Sequence, residues 1–184
     1  METKQILDFV KKTYAENNSD FWLSGLRAFI GAVWIFGGLE KVLSAEFFAN
    51  FPKTIAYFAS KNPNGFFVDF LNNIVAPNSA VFSHLVAYGE LLVGLGLLFG
   101  LLTNISAAVG IFLNVIFYLG AGWTGISTAM LNVQMIVLQV IILGAAGTKT
   151  LSLDYFLGLL GMRREYVGAA PKKAAKEKKN VVKF

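Results

Sequence analysis

Four long apolar stretches, separated by polar or glycine-containing turns, dominate the pattern of this sequence. They run over residues 21–43, 81–102, 105–121 and 126–146. An apolar helix of about 20 residues crosses the ~30 Å hydrocarbon core of a bilayer, so each stretch is predicted to span a membrane. Thr103–Asn104 is too short for anything but a tight turn, which makes the second and third spans antiparallel neighbours. The pattern therefore predicts an all-α, integral membrane four-helix bundle.

The connection between the first two spans, residues 44–80, is long and rich in aromatic side chains. Phe51, Ile55 and Phe58 lie at helical spacing, and a second series of this kind follows Gly65. We therefore predict two short helices in this loop, lying at the membrane interface and placed to act as a lid.

The ends of the chain differ from its centre in charge. From Arg163 onwards there are eight basic and two acidic residues, a net charge of +6, whereas the whole chain carries +5. We predict an N-terminal amphipathic segment over 1–19, a four-helix membrane domain over 20–160 and a basic tail over 161–184. Four spans put both termini on one side, and the positive-inside rule makes that side the cytoplasm of a plasma-membrane protein. The basic tail favours anionic lipid or an acidic partner over nucleic acid.

The amino-acid composition is typical of a membrane protein and excludes several kinds of cofactor and metal site. Only 15% of the residues are charged, against about 25% in soluble proteins, and mean hydropathy is +0.59. The sequence has no cysteine and one histidine. Disulfides, thiolate metal sites and iron–sulfur clusters on this chain are excluded, and a lone histidine argues against a haem or copper centre. We predict no metal site.

Glu90 is the carboxylate near the middle of the second span, where a charge costs roughly 2.5–3.5 kcal/mol. Arg27 lies in the first half of the first span. With Glu90 close to the bilayer centre and Arg27 a few residues to its cytoplasmic side, their axial separation is roughly 6–8 Å, and we expect the two side chains to pair. Two interpretations stay open: a structural bridge, or a catalytic pocket that binds a quinone headgroup or an anion, or passes a proton.

Two further residues of the first span share a face with Arg27, because Arg27, Trp34 and Lys41 are spaced by seven. Lys41 either snorkels to the interface or forms an inward basic site for an anionic substrate.

Polar residues in the other spans also have two interpretations. His84 is either a hydrogen-bonded packing residue or a proton relay. Asn114 and Tyr118 share a face of the third span, and Asn132 and Gln139 share a face of the fourth. These amides either hydrogen-bond across helices or line a polar cavity near the buried carboxylate.

Short motifs in a fixed order carry a resemblance to a known family. They are Leu26-Arg27, the run 36–41 (FGGLEK), the run 89–98 (GELLVGLGLL), Gly100-Leu101-Leu102-Thr103, Ala145-Ala146-Gly147 and Ser152-Leu153-Asp154. In this order and spacing the chain resembles the DoxX/DoxD family of small four-helix membrane proteins over roughly residues 21–157. The long aromatic loop and the total size are more similar to DoxD, the small subunit of thiosulfate:quinone oxidoreductase.

The resemblance implies a membrane subunit that passes electrons from thiosulfate to a quinone, the quinone being substrate rather than resident cofactor. It implies further subunits as partners, such as a DoxA-like protein or a terminal oxidase. On this hypothesis Glu90 and Arg27 are catalytic. The substrate- or quinone-binding residues would be Trp34, Lys41, His84, Asn114 and Asn132.

Two alternatives remain from the sequence. The chain could be a non-catalytic accessory or structural subunit of a larger membrane oxidase or monooxygenase. A small-solute carrier is a further option, although such carriers often show internal repeats and none is visible here. Whether the chain is itself an enzyme is left open.

Overall fold

The computed structural model describes residues 11, 18–144 and 152–154, and every regular element in these ranges is helical. Two short irregular helical turns, a π-helical turn and a 3-10 turn, connect the third helix to the fourth. The helices are α1 (Asn18–Val42), α2 (Ala45–Lys61), α3 (Gly65–Phe70), α4 (Ser79–Phe99), α5 (Thr103–Ala121) and α6 (Ile126–Gly144).

The predicted all-α membrane bundle is confirmed. Within the described ranges, four helical stretches are long and apolar enough to cross a membrane. They are Ser19–Val42, Gly65–Phe99, Thr103–Thr124 and Ile126–Gly144. The predicted basic tail and nearly all of the predicted N-terminal segment lie outside the described residues, as does the Ala145-Ala146-Gly147 motif.

The second stretch differs from its predicted bounds, because helical backbone begins at Gly65 rather than at residue 81. A π-helical turn, Leu71–Val75, and a 3-10 turn that contains Pro77 interrupt it. Proline has no backbone N–H to donate and clashes with the preceding turn, so a regular α-helix cannot continue through residue 77. Pro77 therefore distorts the helical path between Gly65 and Phe99 without ending it.

The loop between the first two spans forms a packed layer. Ser44 caps α2 by accepting a hydrogen bond from the backbone of Phe47 at 3.1 Å. Phe51 of α2 and Phe67 of α3 are buried, and the side chain of Asn62 donates to the backbone carbonyl of Leu119 at 2.7 Å. The two predicted loop helices thus rest on α4 and α5. We call this end of the bundle the loop side and the opposite end, at the α4–α5 turn, the turn side.

The closest helix pair is α1 with α4, which run antiparallel. A Cβ atom at Gly38 would lie 2.6 Å from the backbone nitrogen of Leu91, and one at Gly94 would lie 2.6 Å from that of Ile35. Real Cβ atoms do not approach backbone so closely, so these positions need glycine. The contacts fix the register of the two helices, and the register decides which charged side chains can meet.

Candidate functional site

A buried ion pair joins α1 and α4 near the loop side. Glu90 is 4% exposed, and its Oε2 atom accepts a hydrogen bond from the Nζ of Lys41 at 2.8 Å. The same ammonium donates to the carbonyl of Gly37 at 3.2 Å. Gly37 makes room for the carboxylate, since a Cβ there would lie 3.1 Å from Oε2. Lys41 remains 28% exposed, so the pair has one buried and one accessible member.

The predicted pairing of Arg27 with Glu90 is wrong. Glu90 lies beside Gly37, which is ten positions along α1 from Arg27. At 1.5 Å per residue this places the two charges about 15 Å apart along the bundle. The expectation assumed an axial gap of only roughly 6–8 Å between the two side chains, whereas the antiparallel register set by the glycine contacts brings Lys41 to the carboxylate instead.

Arg27 belongs to a second charged cluster at the turn side. Its side chain is 1% exposed, and its Nη1 atom donates to the carbonyl of Leu97 at 2.5 Å and to that of Leu98 at 3.4 Å. These are among the last carbonyls of α4, where the helix dipole favours a cation. Arg27 also interacts electrostatically with Asp154. Arg27 therefore lies at the turn side of the bundle, at the opposite end from the Lys41–Glu90 pair.

Asp154 is a residue that the sequence did not connect with Arg27. Its Oδ2 atom accepts from the backbone N–H of Thr103 at 3.5 Å, and its own N–H donates to the carbonyl of Gly100 at 3.2 Å. Gly100 has a φ of +66° and lies against Arg27 and Ser152, so a side chain there would be both strained and obstructed. The Ser152-Leu153-Asp154 motif was the sequence feature that could have pointed to this contact. It lies in a segment that packs against the α4–α5 turn.

The centre of the bundle contains polar groups of a different kind. Trp34 is 5% exposed and packs against the ring of Phe117, with 6.4 Å between ring centroids. Gln139 is fully buried, and Gly110 leaves the space for its amide. Within the described ranges, neither the indole nitrogen of Trp34 nor either amide atom of Gln139 has a hydrogen-bond partner.

The two asparagines expected near the carboxylate use their amide groups locally. Asn114 donates to the carbonyl of Gly110 at 3.1 Å, and Asn132 donates to that of Thr128 at 2.8 Å. Each bond runs four residues back along the asparagine's own helix. Both side chains are buried, whereas Tyr118 is 42% exposed. These contacts show the donors bonded within single helices rather than from one helix to another.

His84 lies on the outside of α4. Its Nδ1 atom is 2.7 Å from the carbonyl oxygen of Ala80. Its ring is stacked with that of Tyr88 at a centroid distance of 6.1 Å and lies 4.6 Å from the ring of Phe48. His84 is six positions from Glu90, which on an α-helix directs the two side chains about 120° apart. It therefore belongs to the exposed surface of the bundle.

Of the candidate groups, the described residues bring together the buried carboxylate of Glu90 and the ammonium of Lys41. No cluster of three or more histidine, aspartate or glutamate side chains suited to a metal ion occurs among them. The pair can exchange partners. The ammonium of Lys41 can bind another anion, and the carboxylate of Glu90, left without its counter-ion, can then take up a proton.

Comparison with known proteins identifies the family to which the chain belongs. The family model described as "TQO small subunit DoxD" matches residues 22–162, which includes all six helices from near the start of α1. No curated protein and no solved structure matches the chain. The match covers well over half of the sequence and agrees with the observed membrane helices. The chain therefore belongs to the DoxD family.

Proposed function

We propose that this protein is a membrane subunit of a quinone-linked oxidoreductase of the thiosulfate:quinone type. Membership of the DoxD family is the observation that carries the proposal. In this reaction two thiosulfate anions lose one electron each and join as tetrathionate. A quinone takes up the two electrons and two protons and becomes a quinol. The complex must therefore bind a dianion next to a membrane and deliver protons.

The ion pair of α1 and α4 suits the first of these tasks. Lys41 is a cation at the end of a membrane helix and is partly exposed, so it is accessible to an anion from the loop side. Glu90 is its resting counter-ion. Glu40 adds a second negative charge nearby. An incoming thiosulfate has to compete with both carboxylates for the one ammonium.

Competition for Lys41 links anion binding to proton uptake. When thiosulfate takes the ammonium, the carboxylate of Glu90 is left buried without its counter-ion. A buried unpaired carboxylate is unfavourable, so it takes up a proton. The proton is released again when the anion leaves and the ion pair re-forms. In this proposal Lys41 binds substrate, Glu90 carries a proton, and Arg27 has a structural role at the opposite end.

The proposed setting is the plasma membrane, with both termini in the cytoplasm and the loop side facing outward. The basic tail supports this orientation through the positive-inside rule. Electrons would leave thiosulfate in a complex with further subunits. A purely structural, accessory role is the competing proposal, and the experiment has to separate the two.

The test is thiosulfate-dependent quinone reduction by the purified native complex in vesicles. Lys41→Gln should raise KM for thiosulfate by about tenfold, because a charge-assisted contact to the anion is lost. Lys53→Gln, which removes an exposed lysine of α2, is the matched control and should change nothing. If the complex without this chain oxidises thiosulfate at the full rate, the chain is an accessory subunit and the proposal fails.

A further inference from the structure

A glutamine faces outward from the middle of the last membrane helix. Gln134 is exposed and lies about 12 Å from the start of α6, at 1.5 Å per residue. It is five positions from the buried Gln139, which on an α-helix directs the two side chains about 140° apart. The amide of Gln134 makes no hydrogen bond to any other described residue. One glutamine of α6 therefore faces the bundle, and the other faces the lipid around it.

An amide at this depth is unfavourable against lipid tails. Hydrocarbon offers neither donors nor acceptors, so the C=O and NH2 groups of Gln134 would lose the hydrogen bonds that they make in water. The side chain is too short to reach either interface from the middle of the span. Membrane helices satisfy such groups by hydrogen-bonding to a polar side chain of a neighbouring helix. The exposed amide therefore indicates a helix contact outside this bundle.

The exposed residues around the glutamine form a continuous stripe, which we call the α6 seam. Ser127, Gln134 and Ile141 are spaced by seven, Met130 and Val137 lie between them, and all five are exposed. This spacing is typical of the contact between two helices that cross with a left-handed twist, where a single polar residue fixes register and the number of helices. No residue of α6 is charged, so two such helices do not repel each other.

We propose that the α6 seam is the contact between two copies of this chain, and that the two Gln134 side chains hydrogen-bond to each other. Chains of one sequence insert into the membrane with one orientation, so a two-fold axis between two copies is perpendicular to the membrane. Each residue beside that axis meets its own equivalent at the same depth. An amide can pair with itself, because its C=O accepts while its NH2 donates.

A second copy suits the seam better than an unrelated helix. The hydroxyl of Ser127, like the amide of Gln134, both donates and accepts, so each polar residue is matched by the same residue of the other copy. The apolar side chains of Met130, Val137 and Ile141 meet their own equivalents in the same way. An unrelated helix would need polar groups at both depths. This inference does not depend on the chemistry of thiosulfate or quinone.

Disulfide cross-linking tests where the two copies meet. The chain has no cysteine, so a single introduced cysteine reports its contact without background. In the full chain in vesicles, Val137→Cys should give about tenfold more disulfide dimer than Phe112→Cys, because only residues beside the axis bring two Cβ atoms within disulfide reach. Phe112 is the matched control, since it is exposed near the middle of α5 and so lies at a similar depth on another face.

Energy transfer between labelled copies, measured over a series of lipid dilutions, tests the role of the amide. Gln134→Leu should raise the apparent dissociation constant about tenfold, a change that corresponds to ~1.4 kcal/mol. Gln134→Asn keeps an amide and should recover part of the association. Phe112→Leu exchanges one exposed apolar residue for another and should change nothing. Equal helix content by circular dichroism checks that each variant is folded, so lost association is not mistaken for lost structure.

Several results would overturn the inference. It fails if the purified chain stays monomeric in vesicles, or if Gln134→Leu associates as tightly as the natural protein. It also fails if Val137→Cys and Phe112→Cys cross-link equally, since the copies then meet at another face. If Val137→Cys in the native complex cross-links to a different subunit instead, that subunit covers the seam and the inference is wrong. None of these results bears on thiosulfate oxidation, so the proposed function is tested separately.

Discussion

Lys41 and Glu90 form an ion pair with 2.8 Å between Nζ and Oε2 at the loop side of the bundle. Arg27, by contrast, is held by the last carbonyls of α4 at the turn side. The two basic residues of α1 thus have separate tasks. Arg27 lies at the C-terminal end of α4 and interacts with Asp154, whereas Lys41 pairs with Glu90 and is partly exposed.

Removing one member of the ion pair should destabilise the protein more than removing both. Lys41→Met leaves a buried carboxylate alone and should lower the free energy of unfolding by about 1–3 kcal/mol, less than for a fully buried pair because Lys41 is part-exposed. Glu90→Gln leaves a lysine that can snorkel, so its cost should be smaller. The double variant should recover much of the loss. Thermal unfolding in detergent measures all three, and additive losses would argue against coupling.

Binding of thiosulfate should take up a proton. The Lys41–Glu90 exchange predicts about one proton per bound anion near neutral pH, since the displaced carboxylate becomes neutral. Calorimetric titration of the native complex in two buffers with different ionisation enthalpies gives this number directly. Glu90→Gln should bind without proton uptake and more tightly, because the competing charge is gone. Proton-independent binding by the natural protein would exclude the exchange.

Gly38 and Gly25 both lie in α1, and substitution of Gly25 is the control for substitution of Gly38. Gly38→Ala puts a methyl group about where Leu91 backbone lies and should cost ~1–3 kcal/mol through separation of α1 from α4. Gly25→Ala meets no atom within 4 Å and should be neutral or stabilising by up to ~1 kcal/mol, because alanine favours helix. Yield of monodisperse protein and its melting temperature compare the two. Equal behaviour would contradict the close contact.

The sequence predicted the four spans because length and apolarity determine a membrane helix almost alone. It also predicted that Glu90 is buried and paired with a basic residue of the first span. It could not identify Lys41 as that residue, because the register of two antiparallel helices depends on contacts such as Gly38 with Leu91. Depth estimated from position in a span carries an error of several residues, which is enough to exchange one basic partner for another.

The sequence also could not predict the hydrogen-bond partners of the intramembrane amides. Helical spacing showed which amides share a face, but a side chain can bond to its own backbone four residues back, as Asn114 and Asn132 do. The surface position of His84 next to Phe48 depends on the packing of α2, a loop helix, against α4. Spacing within one helix contains no information about either choice.

Asp154 should hold its segment against the α4–α5 turn. Asp154→Ala removes the acceptor of the Thr103 amide and the charge that faces Arg27. We expect faster hydrogen exchange at the backbone of Thr103 and a loss of about 1.5–3 kcal/mol in stability, the usual range for a hydrogen bond to a charged group. Asp154→Asn keeps an acceptor and should restore slow exchange in part. Exchange mass spectrometry of peptides across the turn provides the measurement.

Gln139 provides the last test, because its amide is buried without a partner among the described residues. An unmet buried polar group costs about 1–3 kcal/mol, so Gln139→Met, similar in shape, should raise the melting temperature. Asn132→Leu is the control: it removes an amide that already has a bond, and should gain less or lose stability. If Gln139→Met stabilises the protein while quinone reduction falls, the amide is retained for function at a cost in stability. If stability drops instead, Gln139 has a partner in the membrane-embedded protein, and its role is structural.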